Sequence, residues 1–168
     1  MLNAMRRSKQ RKAQAAGLYA VMAKRAREPE FFARFGVKDT LDGRFDLLTL
    51  HAWLVLERLK ASGEAPLSQA FVDAVFIGFD EALRELGSGD IGMGRRMKKL
   101  ADAFYGRMKA YGEAGDEAAL EDALVRNLYR GERVPAAGAM ARYVMGARAH
   151  LAACDPEKLD FGPLPDEE

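Results

Sequence analysis

The segment "FDLLTLHAWLVLERL", Phe45 to Leu59, constrains this chain more than any other, because its middle is apolar on every side when wound into a helix. A helix without a polar face has to be surrounded by other elements, so this one is expected at the centre of the molecule. The stretch "AFVDAVFIGF", Ala70 to Phe79, is apolar on most faces and is expected to share that position. Elsewhere apolar residues recur at spacings of three and four, and no segment alternates with period two. The pattern predicts an all-α fold, a single compact bundle of about six helices within 168 residues.

Local punctuation sets the expected boundaries. A first helix runs from Ala15 to Arg27 and stops at "EPEFF", where Pro29 drives Glu28 out of helical angles. A short aromatic turn of Phe31, Phe32 and Phe35 follows. A second helix opens in "DTLDGRFD", with Asp39, Thr40 or Asp42 able to cap it, and reaches Ala61. A third starts after Pro66 and ends at Gly87, and a fourth runs from Ile91 to Tyr111 with Asp90 as its cap. Asp116 to Arg130 and Pro135 to Cys154 complete the set. Residues 1–14 read as a flexible basic arm and 155–168 as an acidic tail, flanking a helical domain at 15–154.

The net charge of +1 conceals an asymmetry. Met1 to Arg27 carries eight Lys/Arg and no acid, whereas Asp155 to Glu168 carries six acids and Lys158 alone. Such a head suits anionic lipid, ribosomal RNA or an acidic partner, or is simply solvated. The longest strongly apolar stretch, "LLTLHAWLVL", falls far short of the roughly 20 residues of a membrane span. Met1 to Ala20 has no apolar core of a signal peptide, so secretion is not expected. The lone Cys154 excludes a disulfide framework.

The stretch "ELGSGDIGMGRRMKKL", Glu85 to Leu100, imitates a nucleotide site. Gly87, Gly89 and Gly92 spell G-x-G-x-x-G, but a dinucleotide turn follows a strand and this one follows a helix. A P-loop needs Lys and Ser/Thr after its last glycine, and here Arg95 and Arg96 stand instead. The stretch therefore reads as a helix-to-helix turn with Gly87 as a left-handed C-cap. It would place Gly92 and Gly94 in the next helix's first turn, at about 1 kcal/mol each. It would also crowd Arg95, Arg96, Lys98 and Lys99 at the positive end of the dipole. Either a partner meets these cations, or Asp80, Glu81 and Glu85 on the preceding helix neutralise them.

His51 and Asp73 lie on the two most apolar helices and are expected to form a buried hydrogen bond. His150 and Cys154 could share a helical face, but two ligands do not make a zinc site. No metal, cofactor or catalytic residue is expected, and the chain reads as a non-enzyme. Met93, Met97, Leu100, Phe104, Met108 and Tyr111 form one helical stripe, and Met140 and Met145 lie on the last helix. These methionines are either ordinary core or the lining of an adaptable groove for another protein's apolar segment.

Two ordered blocks, "DTLDGRFDLLTLHAWLVLERL" and "ELGSGDIGMGRRMKKLADAFYGRMKAY", resemble the signatures of the ubiquinol-cytochrome c chaperone family. The resemblance rests on Asp39, Thr40, Gly43, Arg44, Phe45 and His51 in the first block. In the second it rests on Gly89, Asp90, Arg95, Lys98, Phe104, Tyr105, Gly106 and Arg107. It spans Pro29 to Arg130 and implies a non-enzymatic assembly factor for the respiratory cytochrome bc complex that receives newly made cytochrome b. Mitochondrial members also act at the ribosomal tunnel exit with a small partner protein. The short basic arm here, in place of a targeting extension, favours the bacterial cytoplasm, peripheral to the inner membrane, over the mitochondrial matrix. The expected client surface is Met93, Arg95, Met97, Lys98, Lys99, Phe104, Arg107 and Met108, with Arg44 structural and paired to Asp39, Asp42 or Asp46. The alternative is a ribosome- or RNA-binding protein acting through its arm; DNA is not an expected partner.

Overall fold

The computed structural model describes residues 1–87, 89 and 91–164. Among them run α1 (Leu2–Ala26), α2 (Pro29–Ala33), α3 (Leu41–Ala61), α4 (Ala65–Glu85), α5 (Met93–Glu113), α6 (Glu117–Asn127) and α7 (Ala137–Ala153). No strand occurs among the described residues, and the expected aromatic turn is the five-residue α2. The all-helical expectation holds.

Helix α3 is the axis of the bundle. Thr49 to Leu56 are buried without a break, and α1, α4, α5 and α7 surround them. Its start follows from its sequence: the Thr40 hydroxyl accepts from the Gly43 N–H at 3.1 Å. Gly43 has no alternative, since a Cβ there would collide with the backbone carbonyl of Lys38. The block "DTLDG" is thus a tight entry into the central helix. Helix α6 starts in the same way, with Asp116 Oδ1 accepting from the Ala119 N–H at 2.8 Å.

Helix α4 does not share the centre. It buries Leu67, Phe71, Val75 and Phe79 at four-residue steps against α1 and α3, while Ile77 is 60% exposed. One face is covered, because α4 is itself an outer helix laid on α1 and α3. Helix α1 begins at Leu2 rather than Ala15. Residues 2–14 hold neither proline nor glycine and are rich in Ala, Arg, Lys and Gln, all strong helix formers. Helix α5 begins at Met93, because Gly92 takes φ +90° and cannot belong to the helix. Gly92 is therefore its N-cap, and Gly94 is the only glycine of that first turn. Asp90, expected as the cap, lies outside the described residues.

The segment after α7 folds back over the bundle. Phe161 is buried, and Arg25 of α1 donates to the Gly162 carbonyl at 2.7 Å.

Candidate functional site

An apolar groove of about 1010 Å³ opens on one side of the bundle. Five elements build it: α1 through Tyr19 and Ala26, α2 through Phe32, the N-terminal turns of α3, the C-terminal half of α4, and α5 through Leu100. Its floor is aromatic. Phe45 and Phe79 lie 5.1 Å apart and face the groove, with Phe76 and Phe104 layered behind Phe79 at 5.5 and 6.1 Å. Gly78 completes the wall, because the Tyr19 hydroxyl occupies the space that a Cβ would need. Leu41 and Leu86 stand on the lining 53% and 58% exposed, an unusual display for large aliphatic side chains.

A charged network braces the floor from behind. Asp46 is fully buried on α3 and receives Arg107 Nη2 at 2.8 Å and Arg130 Nε at 2.7 Å. Arg130 also reaches Asp42 at 3.0 Å, and it holds this reach with φ at 52°, the only left-handed non-glycine among the described residues. Such a residue costs about 1–2 kcal/mol and persists because the double carboxylate clamp fixes it. Burial pushes the Asp46 carboxyl above its ordinary value, and the two guanidiniums oppose that shift. The Arg107 guanidinium lies 5.6 Å from the centroid of the Phe45 ring and donates to the Asn127 carbonyl at 3.2 Å. Arg44 pairs with Asp39 at 2.7 Å on the groove lining, one of the three pairings expected for it.

These contacts redistribute the residues singled out from sequence. Phe104 is fully buried and Met93 nearly so, so neither can touch a partner in this conformation. Met97 and Met108 are half-buried against the core, and none of the stripe's methionines lines the groove. Arg107 is only 14% exposed and committed to Asp46, so it leaves the set of surface cations. Its basic character suggests a surface because the pairing carboxylate lies on a helix remote in sequence. Arg95, Lys98 and Lys99 are exposed, as is Tyr105, which stacks on Phe76 at 6.1 Å. Gly89 and Gly106 are exposed. Asp80 is engaged by Arg84 at 2.8 Å rather than by the cations of α5. What sequence missed is the groove itself, since no spacing along one segment brings together residues from five.

His51 proves to be a structural hub. Its Nδ1 lies 2.8 Å from the Leu47 carbonyl, which can only accept, so this nitrogen carries the proton. Nε2 then accepts from the Tyr143 hydroxyl at 2.8 Å, and Tyr143 in turn accepts from Arg25 Nε at 3.0 Å. The expected bond to Asp73 does not exist: Asp73 is exposed and accepts from Gln69, one turn earlier on α4. Burial lowers the His51 pKa to about 4; its hydrogen bond to Leu47 opposes the shift and nearby Arg25 adds to it. Cys154 bonds the Leu151 carbonyl and His150 faces Asp160 at 3.7 Å. Among the described residues no cluster of three potential metal ligands occurs, and no helix is long and apolar enough to cross a membrane.

Comparison with known proteins places this geometry. The chain is 27% identical over 115 residues to the ubiquinol-cytochrome-c reductase complex assembly factor 1 of Xenopus laevis. That match covers 66% of this chain and 58% of the relative's length. It is also similar to the crystal structure of the Cbp3 homolog from Brucella abortus, with a TM-score of 0.78 and 36% identity. That likeness covers 95% of this chain and 99% of the solved one. The model of the ubiquinol-cytochrome C chaperone family matches residues 33–164, past the expected limit at Arg130 and through α7 to the strap that Arg25 holds. Taking in the cap of α3, the groove floor and the His51 hub alike, this match establishes that the chain belongs to the ubiquinol-cytochrome c chaperone family.

Proposed function

We propose that the protein is an assembly chaperone of the cytochrome bc complex that holds an apolar segment of newly made cytochrome b in the groove between α1, α2, α3 and α4. The observation that carries this reading is a coincidence of place. The first signature block supplies Asp39, Leu41, Asp42, Arg44, Phe45 and Leu48 to the groove lining. An apolar groove with uncovered leucines at its edge suits a client that must be kept from aggregating until it is inserted. The aromatic floor supplies a large contact area at small conformational cost. Arg95, Lys98 and Lys99, exposed on the first turns of α5 outside the groove lining, would serve as a basic flank for acidic groups of the client. The proposed compartment is the bacterial cytoplasm. The reading needs no cofactor and no catalytic step.

Deletion of the gene tests the function, and complementation tests the site. Loss of cytochrome b and its complex, with other respiratory complexes intact, is the expected result of deletion; unchanged cytochrome b refutes the proposal. Complementation with a Leu41→Glu, Leu86→Glu double variant should fail although the variant folds, since exposed positions shift stability by only about 0.5 kcal/mol each. Full rescue by that variant would move the client elsewhere. A Lys98→Glu, Lys99→Glu variant should rescue weakly, and full rescue removes the basic flank from the site.

A further inference from the structure

The groove's dimensions select the backbone conformation of what it holds. Its lining runs from Leu41 to Leu48 on α3, from Gly78 to Leu86 on α4 and its cap, and from Tyr19 to Arg27 on α1 and its cap. Each of these walls rises by roughly 10–12 Å, about two helical turns. Along that distance an extended segment places about three or four residues, with alternate side chains turned away from the floor. A helix places about seven or eight, and its face at i, i+3 or i+4, and i+7 lies along the floor. The volume of about 1010 Å³ stands at the upper limit of pockets that enclose one small ligand, and suits several side chains at once.

Backbone hydrogen bonding leads to the same occupant. The walls are helices and turns, and no strand occurs among the described residues, so the groove has no sheet edge with which an extended segment could pair. An extended backbone laid on Phe45, Phe79 and Leu83 would bury amide groups without partners, whereas a helix bonds them within itself.

Charge and composition narrow the choice further. Arg44 on the lining is held by Asp39 at 2.7 Å, and Asp42 by Arg130 at 3.0 Å. That leaves Arg27 and Glu85, one of each sign and neither in an ion pair among the described residues. The lining therefore gathers no cations for a phosphate headgroup and matches an uncharged surface. Nor does a second copy of this chain supply the occupant, since no described helix carries three large exposed apolar residues at i, i+3 or i+4, and i+7.

We infer that the groove takes its client as an already formed α-helix, with about two turns of its apolar face on the aromatic floor; this rests on the reading of the groove as the client site. Leu41 at the start of α3 and Leu86 at the cap of α4 then flank the bound helix at the rim.

The test uses the full purified chain and three fluorescent model peptides of leucine, alanine and lysine. The first has leucines at i, i+3, i+4 and i+7. The second has the same composition with leucines in strict alternation, and the third is the first with a central proline. In anisotropy titrations the first should bind on the order of tenfold tighter than either of the others, and its backbone NMR shifts when bound should be helical. A Leu41→Glu, Leu86→Glu variant should lose on the order of tenfold of that affinity, with thermal unfolding unchanged because both residues are exposed. Equal or tighter binding of the alternating peptide, extended shifts in the bound first peptide, absence of binding by all three, or full binding by the variant overturns the inference. So does a dimer of the free chain that dissociates in the variant, which would assign the groove to a second copy. The two readings fail separately. An alternating peptide that binds equally and is blocked in the variant removes the helical occupant but keeps the groove as the client site. Gene deletion that leaves cytochrome b unchanged removes that client and leaves the helical preference standing.

Discussion

Lowering the pH should weaken this protein through one side chain. His51 is neutral in the folded state with a pKa of about 4, whereas in the unfolded chain it protonates near 6.5. Between those values the unfolded state binds the extra proton, so stability present at neutral pH is lost as pH falls below the unfolded value. The full window of about 2.5 units corresponds to roughly 3 kcal/mol, and about 2 kcal/mol is already gone near pH 5. The assay is urea unfolding of the wild type and of His51→Gln near pH 7.5 and near pH 5. Glutamine cannot titrate, so the contributions of the other side chains cancel in the difference. The variant should be the less stable at neutral pH, since it leaves Tyr143 or Leu47 short of a partner at about 1–3 kcal/mol. The gap should narrow by about 2 kcal/mol at the lower pH. A gap that stays constant would refute the buried neutral imidazole. Should His51→Gln fail to fold, Tyr143→Phe retains the ring, and an NMR titration of His51 then decides whether it stays neutral near pH 5.

Two further predictions concern the scaffold of the groove. Asp46→Ala strands Arg107, itself 14% exposed, without its carboxylate, and should cost about 3–5 kcal/mol in denaturant unfolding. Gly43→Ala should destabilise by about 1–3 kcal/mol in the same assay, because the new methyl meets the Lys38 carbonyl and the cap has to open; a neutral result would mean that the turn relaxes freely.

Much of the architecture is legible in the chain because helices announce themselves locally. The all-round apolar character of residues 49–56 identifies the central helix, and Thr40, Asp116 and Gly87, the last at φ +74°, mark ends where expected. Where burial supplies no signal the reading falters. Residues 2–14 form helix on propensity alone, with no apolar periodicity to show it. Ala70 to Phe79 reads as core because composition does not distinguish a buried helix from one covered on a single side. The candidate site is the least legible part. Phe45 and Arg44 fall within the first signature block, yet their partners Phe79 and Asp39 come from a different helix and from the turn before α3. Arg107 looks like a surface cation until Asp46, one helix away in space and far away in sequence, is placed against it.

The bond from Arg25 to the Gly162 carbonyl has a consequence for the order of synthesis. The donor lies on the helix that leaves the ribosome first, and its acceptor lies in the strap made after every other helix. Until translation passes Gly162, the C-terminal end of α1 can rest on α3 and α4 but lacks its last fastening, and Tyr143 is held by His51 without the covering Phe161 ring at 5.6 Å from that histidine. Nucleation can therefore proceed from the early helices, while closure waits for Phe161 and Gly162, as expected when contacts join residues remote in sequence. A released chain cut between Ala153 and Phe161 would keep α1 to α7 and still be unlatched.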